Sequence, residues 1–166
     1  ANSSPVTAYR ILIKVSGVAA PQYEPELTHC DGSTYNVWAN VQCTIPMSVF
    51  TIGPFSLSPD AQIIATVEAL NGVGYSPASP DNTAYANVKV APTAAPALSN
   101  GAGTSNTQVE IGWPELTANV DIGYSAVTSY NIYYQVGSFV YLANVASQVN
   151  PTNSYIHTPV TAGQSY

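Results

Sequence analysis

One eight-residue pattern, Ser-x-Val-Thr-x-Tyr-x-Ile, occurs twice in the chain. It runs from Ser4 to Ile11 (SPVTAYRI) and again from Ser125 to Ile132 (SAVTSYNI). A strand written twice implies a domain written twice, and the register of everything else follows from it. The two copies lie 121 residues apart, so within 166 residues there is room for one or two domains. Both copies would be the same strand of the same kind of domain. The chain is then expected to begin partway into one domain and to end partway through the next. The start, Ala1-Asn2-Ser3-Ser4, has neither the basic residues nor the apolar run of a secretory signal. A segment of a longer chain is the expectation.

Short β-branched and aromatic runs dominate, and 13 prolines and 11 glycines interrupt any helical periodicity. Strands are expected at 7–15, 35–42, 48–52, 62–71 and 83–90. In the second half they are expected at 97–100, 108–113, 127–136, 139–143 and 154–158, with a further start near Ser165. Several of them alternate. Ile63, Ala65, Val67 and Ala69 share one face, with Ile64, Thr66, Glu68 and Leu70 on the other. Tyr130, Ile132 and Tyr134 oppose Ser129, Asn131, Tyr133 and Gln135. Period two means half-buried strands in antiparallel sheets. Asn71-Gly72-Val73-Gly74 supplies a tight turn. The Pro/Ala stretch 91–96 reads as a short, semi-rigid linker.

In order along the chain, residues 67–76 (VEALNGVGYS), 92–98 (PTAAPAL), 109–114 (VEIGWP) and 130–134 (YNIYY) are landmarks that together resemble the fibronectin type III family. Residues 92–98 look like the lead into its strand A, and 109–114 like strand B with its core tryptophan. Residues 130–134 look like strand C. Residues 67–76 look like strand F and its turn, which leaves 83–90 as strand G. The resemblance implies an all-β chain of tandem, antiparallel β-sandwiches. The first would cover 1–91, lack strands A and B, and carry an insertion at 17–43. The second would cover 92–166 and lack most of strands F and G. Tyr166 would be the family's corner tyrosine, and Ile63 stands where the first domain would have its own.

The surplus length falls in the insertion, which holds the only two cysteines, Cys30 and Cys43. A disulfide between them would staple a short excursion and place the protein in an oxidising compartment, secreted or on a cell surface. The alternative is a pair of buried thiols. Glu24, Glu26, His29, Cys30 and Asp31 could be read as metal ligands. Adjacent His-Cys is poor geometry for one tetrahedral ion, however, so loop polars beside a disulfide are expected. His157 is expected on a strand surface. Asn2 opens the one N-glycosylation sequon, because Pro151 excludes Asn150.

Charged residues make up 7% of the chain, and the net charge is -6. Arg10, Lys14 and Lys89 are the only fixed cations. Such a chain cannot neutralise a phosphate backbone, which excludes nucleic acid and disfavours anionic membranes. No apolar run reaches the ~18 residues of a membrane-spanning helix. No nucleophile elbow, phosphate loop or zinc-protease motif occurs, so no enzyme and no cofactor are expected.

The expected role is structural: a segment of an extracellular fibre, coat or stalk. Its partners would be further copies or neighbouring repeats, which pair through exposed strand edges. The alternatives are an adhesion or carbohydrate-binding module, with Tyr75, Tyr85, Tyr133 and Tyr141 stacking on sugars, or spacers of a larger secreted enzyme.

Overall fold

The computed structural model describes residues 4–17, 19, 21–136, 138–146 and 153–161. The chain is all-β with antiparallel sheets, and it divides into two compact units, Ala1–Val90 and Ala91–Tyr166.

In the first unit the leading copy of the repeat lies in β1 (Val6–Lys14). Its inner edge pairs antiparallel with β4 (Ala65–Asn71), in register Tyr9↔Ala69, Ile11↔Val67 and Ile13↔Ala65. The opposite edge carries β2 (Tyr23–Pro25) and then β3 (Asp31–Gly32). Gly32 is needed where β3 meets β1, since a Cβ there would lie 2.0 Å from the Tyr9 carbonyl oxygen. The core sits at one end of this sheet. Ile13, Phe50, Phe55, Leu57 and Val88 are buried together, with Ile63 and Ala65 packed alongside.

Two expected strands are helical. Residues 35–42 instead form α1 (Tyr35–Asn40). The Asp31–Thr34 turn folds back on itself: Asp31 Oδ1 accepts from Ser33, and the Asp31 carbonyl accepts from Thr34. That turn launches a helix too short for its periodicity to be told from alternation. Residues 48–52 instead form α2 (Met47–Phe50) and a following turn. Burial of Phe50 against Phe55, ring centroids 6.2 Å apart, overrides the β-preference of Val49, Thr51 and Ile52.

The expected strand 83–90 is absent. Only the single bridge Gln62↔Asn87 survives from it. The outer edge of β4, where this strand would pair, is already occupied by residues 76–82. The expected strand 62–71 is shortened and begins at Ala65. Its two-faced alternation is also blurred: Val67 is 40% exposed and Thr66 only 8%. The core covers the Ile13 end of the sheet and leaves the Val67 end facing a recess.

The second unit has two layers. β5 (Ser99–Asn100), β6 (Val109–Gly112) and β9 (Ser154–His157) form one sheet in the order β5-β6-β9. β7 (Ser129–Val136) and β8 (Phe139–Ala146) form a hairpin. In β7 the expected alternation holds residue by residue, with Ile132 buried and Tyr133 exposed. The strand begins at Ser129, so Val127 and Thr128 of the repeat precede it, whereas Val6 and Thr7 of the first copy lie inside β1.

Aromatic rings join the layers. Trp113 meets Tyr130 edge-on at 5.2 Å, and Tyr134 lies 4.4 Å from His157. His157 is therefore half-buried in the seam and not a surface residue of its strand. The loop before β6 folds onto Glu110, whose carboxylate accepts from the Gly103 N–H. A Cβ at Gly101 would come within 2.3 Å of Glu110 Cγ, so a side chain there would displace the Glu110 side chain. The expected strand start at Ser165 and the corner Tyr166 lie outside the described residues.

Candidate functional site

Cys30 and Cys43 are bonded to each other, with Cα atoms 5.4 Å apart. Cys30 is fully buried. The bond draws the loop carrying α1 onto the sheet, and Trp38 Nε1 donates to the Val6 carbonyl at 3.2 Å. α1 ends at Val41 with φ 52°, a costly setting for a β-branched residue. Between loop and sheet lies an apolar recess of about 290 Å³. Tyr9, Ile11 and Val67 line it from the sheet, and Val37, Val41 and Cys43 from the loop.

Glu26 is buried at the foot of this loop. Its two carboxylate oxygens accept from the backbone N–H groups of Thr28, His29 and Cys30 at 2.9 to 3.1 Å. Burial alone would raise the carboxyl's pKa. The donors from His29, Cys30 and Thr28 outweigh burial and hold it below the ordinary carboxylate value. A group depressed in the folded state stabilises above its unfolded pKa, and that stability is lost as pH falls through the folded value. We therefore expect the denaturation midpoint of the first unit to be flat near neutrality and to drop below about pH 4. Glu26→Gln should lower the neutral midpoint and flatten the acid slope, measured by urea melts at several pH values. An unchanged slope in the variant would refute this role for Glu26.

The other residues that could be read as metal ligands do not converge. Glu24 accepts from Gln22, and Asp31 from Ser33. His29 Nδ1 lies 3.3 Å from Glu26. Among the described residues no group of three His, Cys, Asp or Glu side chains is placed to hold a metal ion.

The four candidate sugar-stacking tyrosines are scattered. Tyr75 lies under the Arg10 guanidinium, 4.0 Å from its ring centroid, and Arg10 also pairs with Glu68. Tyr85 is exposed on the 83–86 segment. Tyr133 and Tyr141 sit on opposite faces of the hairpin, because Tyr133 pairs with Leu142 while Tyr141 stacks on Tyr134. Asn2 lies outside the described residues.

Sequence reasoning did not find the groove of about 280 Å³ in the second unit. It is lined by Pro96, Leu98, Trp113, Tyr130, Ile132 and Tyr133. Trp113 Nε1 and the Tyr130 hydroxyl are buried and find no hydrogen-bond partner among the described residues. The hairpin's outer face is equally uncharged: Tyr133, Val140 and Leu142 are exposed side by side, 56 to 66% each. No helix among the described residues is long and apolar enough to cross a membrane.

No family model matches the chain, and no curated protein matches it. Solved structures do, among them the chicken CNTN1 FN1-FN3 domains. That match has 18% sequence identity and a TM-score of 0.42. It covers 95% of this chain and 46% of the other, so the chain spans less than half the length of the solved chain.

Proposed function

We propose that this chain is a non-enzymatic structural segment of an extracellular or cell-surface protein, built from tandem fibronectin type III-like units that associate with further copies. The observation that carries the reading is the outer face of the β7–β8 hairpin. There Tyr133, Val140 and Leu142 form an exposed apolar cluster on a chain with only 7% charged residues. Dense, uncharged surfaces of this kind lose little on mutual burial and lack the charge repulsion that keeps proteins apart.

The Cys30–Cys43 bond supports an oxidising compartment. Among the described residues the titratable groups are scattered and none is a nucleophile held by a base, which supports a non-catalytic role. Electron microscopy of the purified protein across salt concentrations should show oligomers or filaments, and Leu142→Lys should disperse them. Dispersed wild-type monomers at every salt concentration would overturn the proposal.

A second reading, a glycan- or peptide-binding module, is favoured by the groove beside Tyr133, with its two unpaired donors from Trp113 and Tyr130. A glycan array with no hits would count against its carbohydrate form.

A further inference from the structure

The stretch after β4 reads Ser76-Pro77-Ala78-Ser79-Pro80-Asp81-Asn82, with a hydrogen-bonding side chain at every third position. Each of these three residues makes a two-way contact with the outer edge of β4. Ser76 donates its N–H to the Ala69 carbonyl at 2.8 Å, and its hydroxyl oxygen accepts the Ala69 N–H at 3.0 Å. Ser79 repeats this on Val67, at 2.9 and 3.1 Å. Asn82 repeats it on Ala65, at 3.1 and 2.8 Å, with the side-chain carbonyl as acceptor.

Both serine hydroxyls then donate onward to the carbonyls of Pro77 and Pro80. Asn82 Nδ2 reaches the carbonyls of Ile63 and Ala84. Asp81 accepts from the Tyr23 hydroxyl at 2.7 Å and fixes the end of the segment to the sheet.

This strip satisfies the β4 edge without being a strand. At Ala65, Val67 and Ala69 both the N–H and the C=O that point away from β1 are matched, yet three residues of the strip cover two of β4. A strand pairs residue for residue, so the 3:2 winding cannot serve as a template for a further strand. Pro77 and Pro80 carry no N–H, which leaves Ala78 and Asp81 as the only outward donors between Ser76 and Asn82. Ser76, Pro77, Ala78, Pro80 and Asp81 are exposed, so side-chain burial does little to hold the strip down. Hydrogen bonds do that.

We propose that residues 76–82 are a built-in edge stop. They hold the outer edge of β4 and deny it to the equivalent edge of a second copy of this chain. An unpaired β4 would be a row of free donors and acceptors flanked by Val67 and Leu70, the kind of edge that natural sheets protect. Side-chain acceptors replace the partner strand on its inner side, and prolines end the pairing on its outer side. The inference does not rest on association through the hairpin, which lies in the other unit.

Hydrogen exchange and sedimentation of the whole chain test it. In the wild type, the amides of Ala65, Val67 and Ala69 should be protected, and their protection should not change with protein concentration. In Ser76→Ala/Ser79→Ala/Asn82→Ala they should exchange about five- to tenfold faster in dilute solution, as expected for loss of one acceptor each. They should regain protection at high concentration as edge-paired dimers sediment.

The amides of Thr66, Glu68 and Leu70, which face β1, report whether the sheet itself survives. If the triple variant loses them, Ser79→Ala alone carries the test through the Val67 amide. Wild-type exchange rates at Val67 in that variant would overturn the proposal. So would edge amides that stay fast at every concentration in a triple variant that sediments as the wild type does. Association through the hairpin would leave all three edge amides independent of concentration.

Discussion

Phe55→Ala should destabilise the first unit by about 3 to 5 kcal/mol, the usual cost of truncating a fully buried aromatic ring. Phe55 is 2% exposed and packs on Phe50, Ile13, Leu57 and Val88. Its backbone is held as well. The Phe55 carbonyl accepts from Ser16 at 3.0 Å, and Leu57 donates to the Phe50 carbonyl at 2.8 Å. With both flanks pinned, the site has little freedom to collapse around the missing ring, which puts the cost toward the upper end of the range. Marginal stability of roughly 5 to 15 kcal/mol makes that a large share of the total.

Urea denaturation checks this prediction. Trp113 is buried in the second unit, so its emission gives an internal reference. The transition of the first unit should move to lower urea while the Trp113 transition stays in place. Phe55→Leu should recover most of the loss, since it refills most of the volume. A loss below about 1 kcal/mol in the alanine variant would mean that this cluster is not the core.

The second unit was more legible in the sequence than the first. In β7 each residue's side of the hairpin follows from alternation, because one face meets an aromatic seam and the other meets solvent. β6 and β9 are found nearly to the residue for the same reason. The first unit resisted because its pattern is satisfied in other ways. Ser48 to Ile52 reads as a β-branched run, yet Phe50 is needed in the core, and a single helical turn delivers it there.

Residues 83–90 alternate as a strand should, but β4 is already paired through Ser76, Ser79 and Asn82. The Ser-Pro-x-Ser-Pro-x-Asn spacing was the available signal for that. It is invisible to period-two reasoning because its period is three. Of the candidate site residues, the cysteine pair could be read from spacing and count. The groove beneath Trp113 and Tyr130 could not, since it needs two distant segments, 95–98 and 130–133, brought together by the sheets.

Opening the Cys30–Cys43 bond should lower the stability of the first unit by about 3 kcal/mol, the chain-entropy value for a loop of roughly 15 residues. The loop offers little else to hold it. No residue of α1 is buried, Tyr35 is 77% exposed and Trp38 is 40% exposed. Beyond Cys30, which the Glu26 carboxylate holds, what remains without the bond is the two-residue pairing of β3 with β1, the Trp38 contact with Val6, and the turn at Asp31. Each such exposed hydrogen bond contributes about 1 kcal/mol or less.

Reduction should therefore act locally as well as globally. Val41 would be free to leave its left-handed conformation, and the apolar recess over Ile11 and Val67 would open. Chymotrypsin should cut at Tyr35 or Trp38 faster in reduced protein, or in Cys30→Ala/Cys43→Ala, than in the oxidised chain. The β1–β4 ladder should keep its amide protection under the same native conditions, because its partners at Ser79 and Asn82 do not depend on the loop. Equal urea midpoints and equal cleavage rates with and without reductant would show that the loop is held by its own packing and that the bond is dispensable.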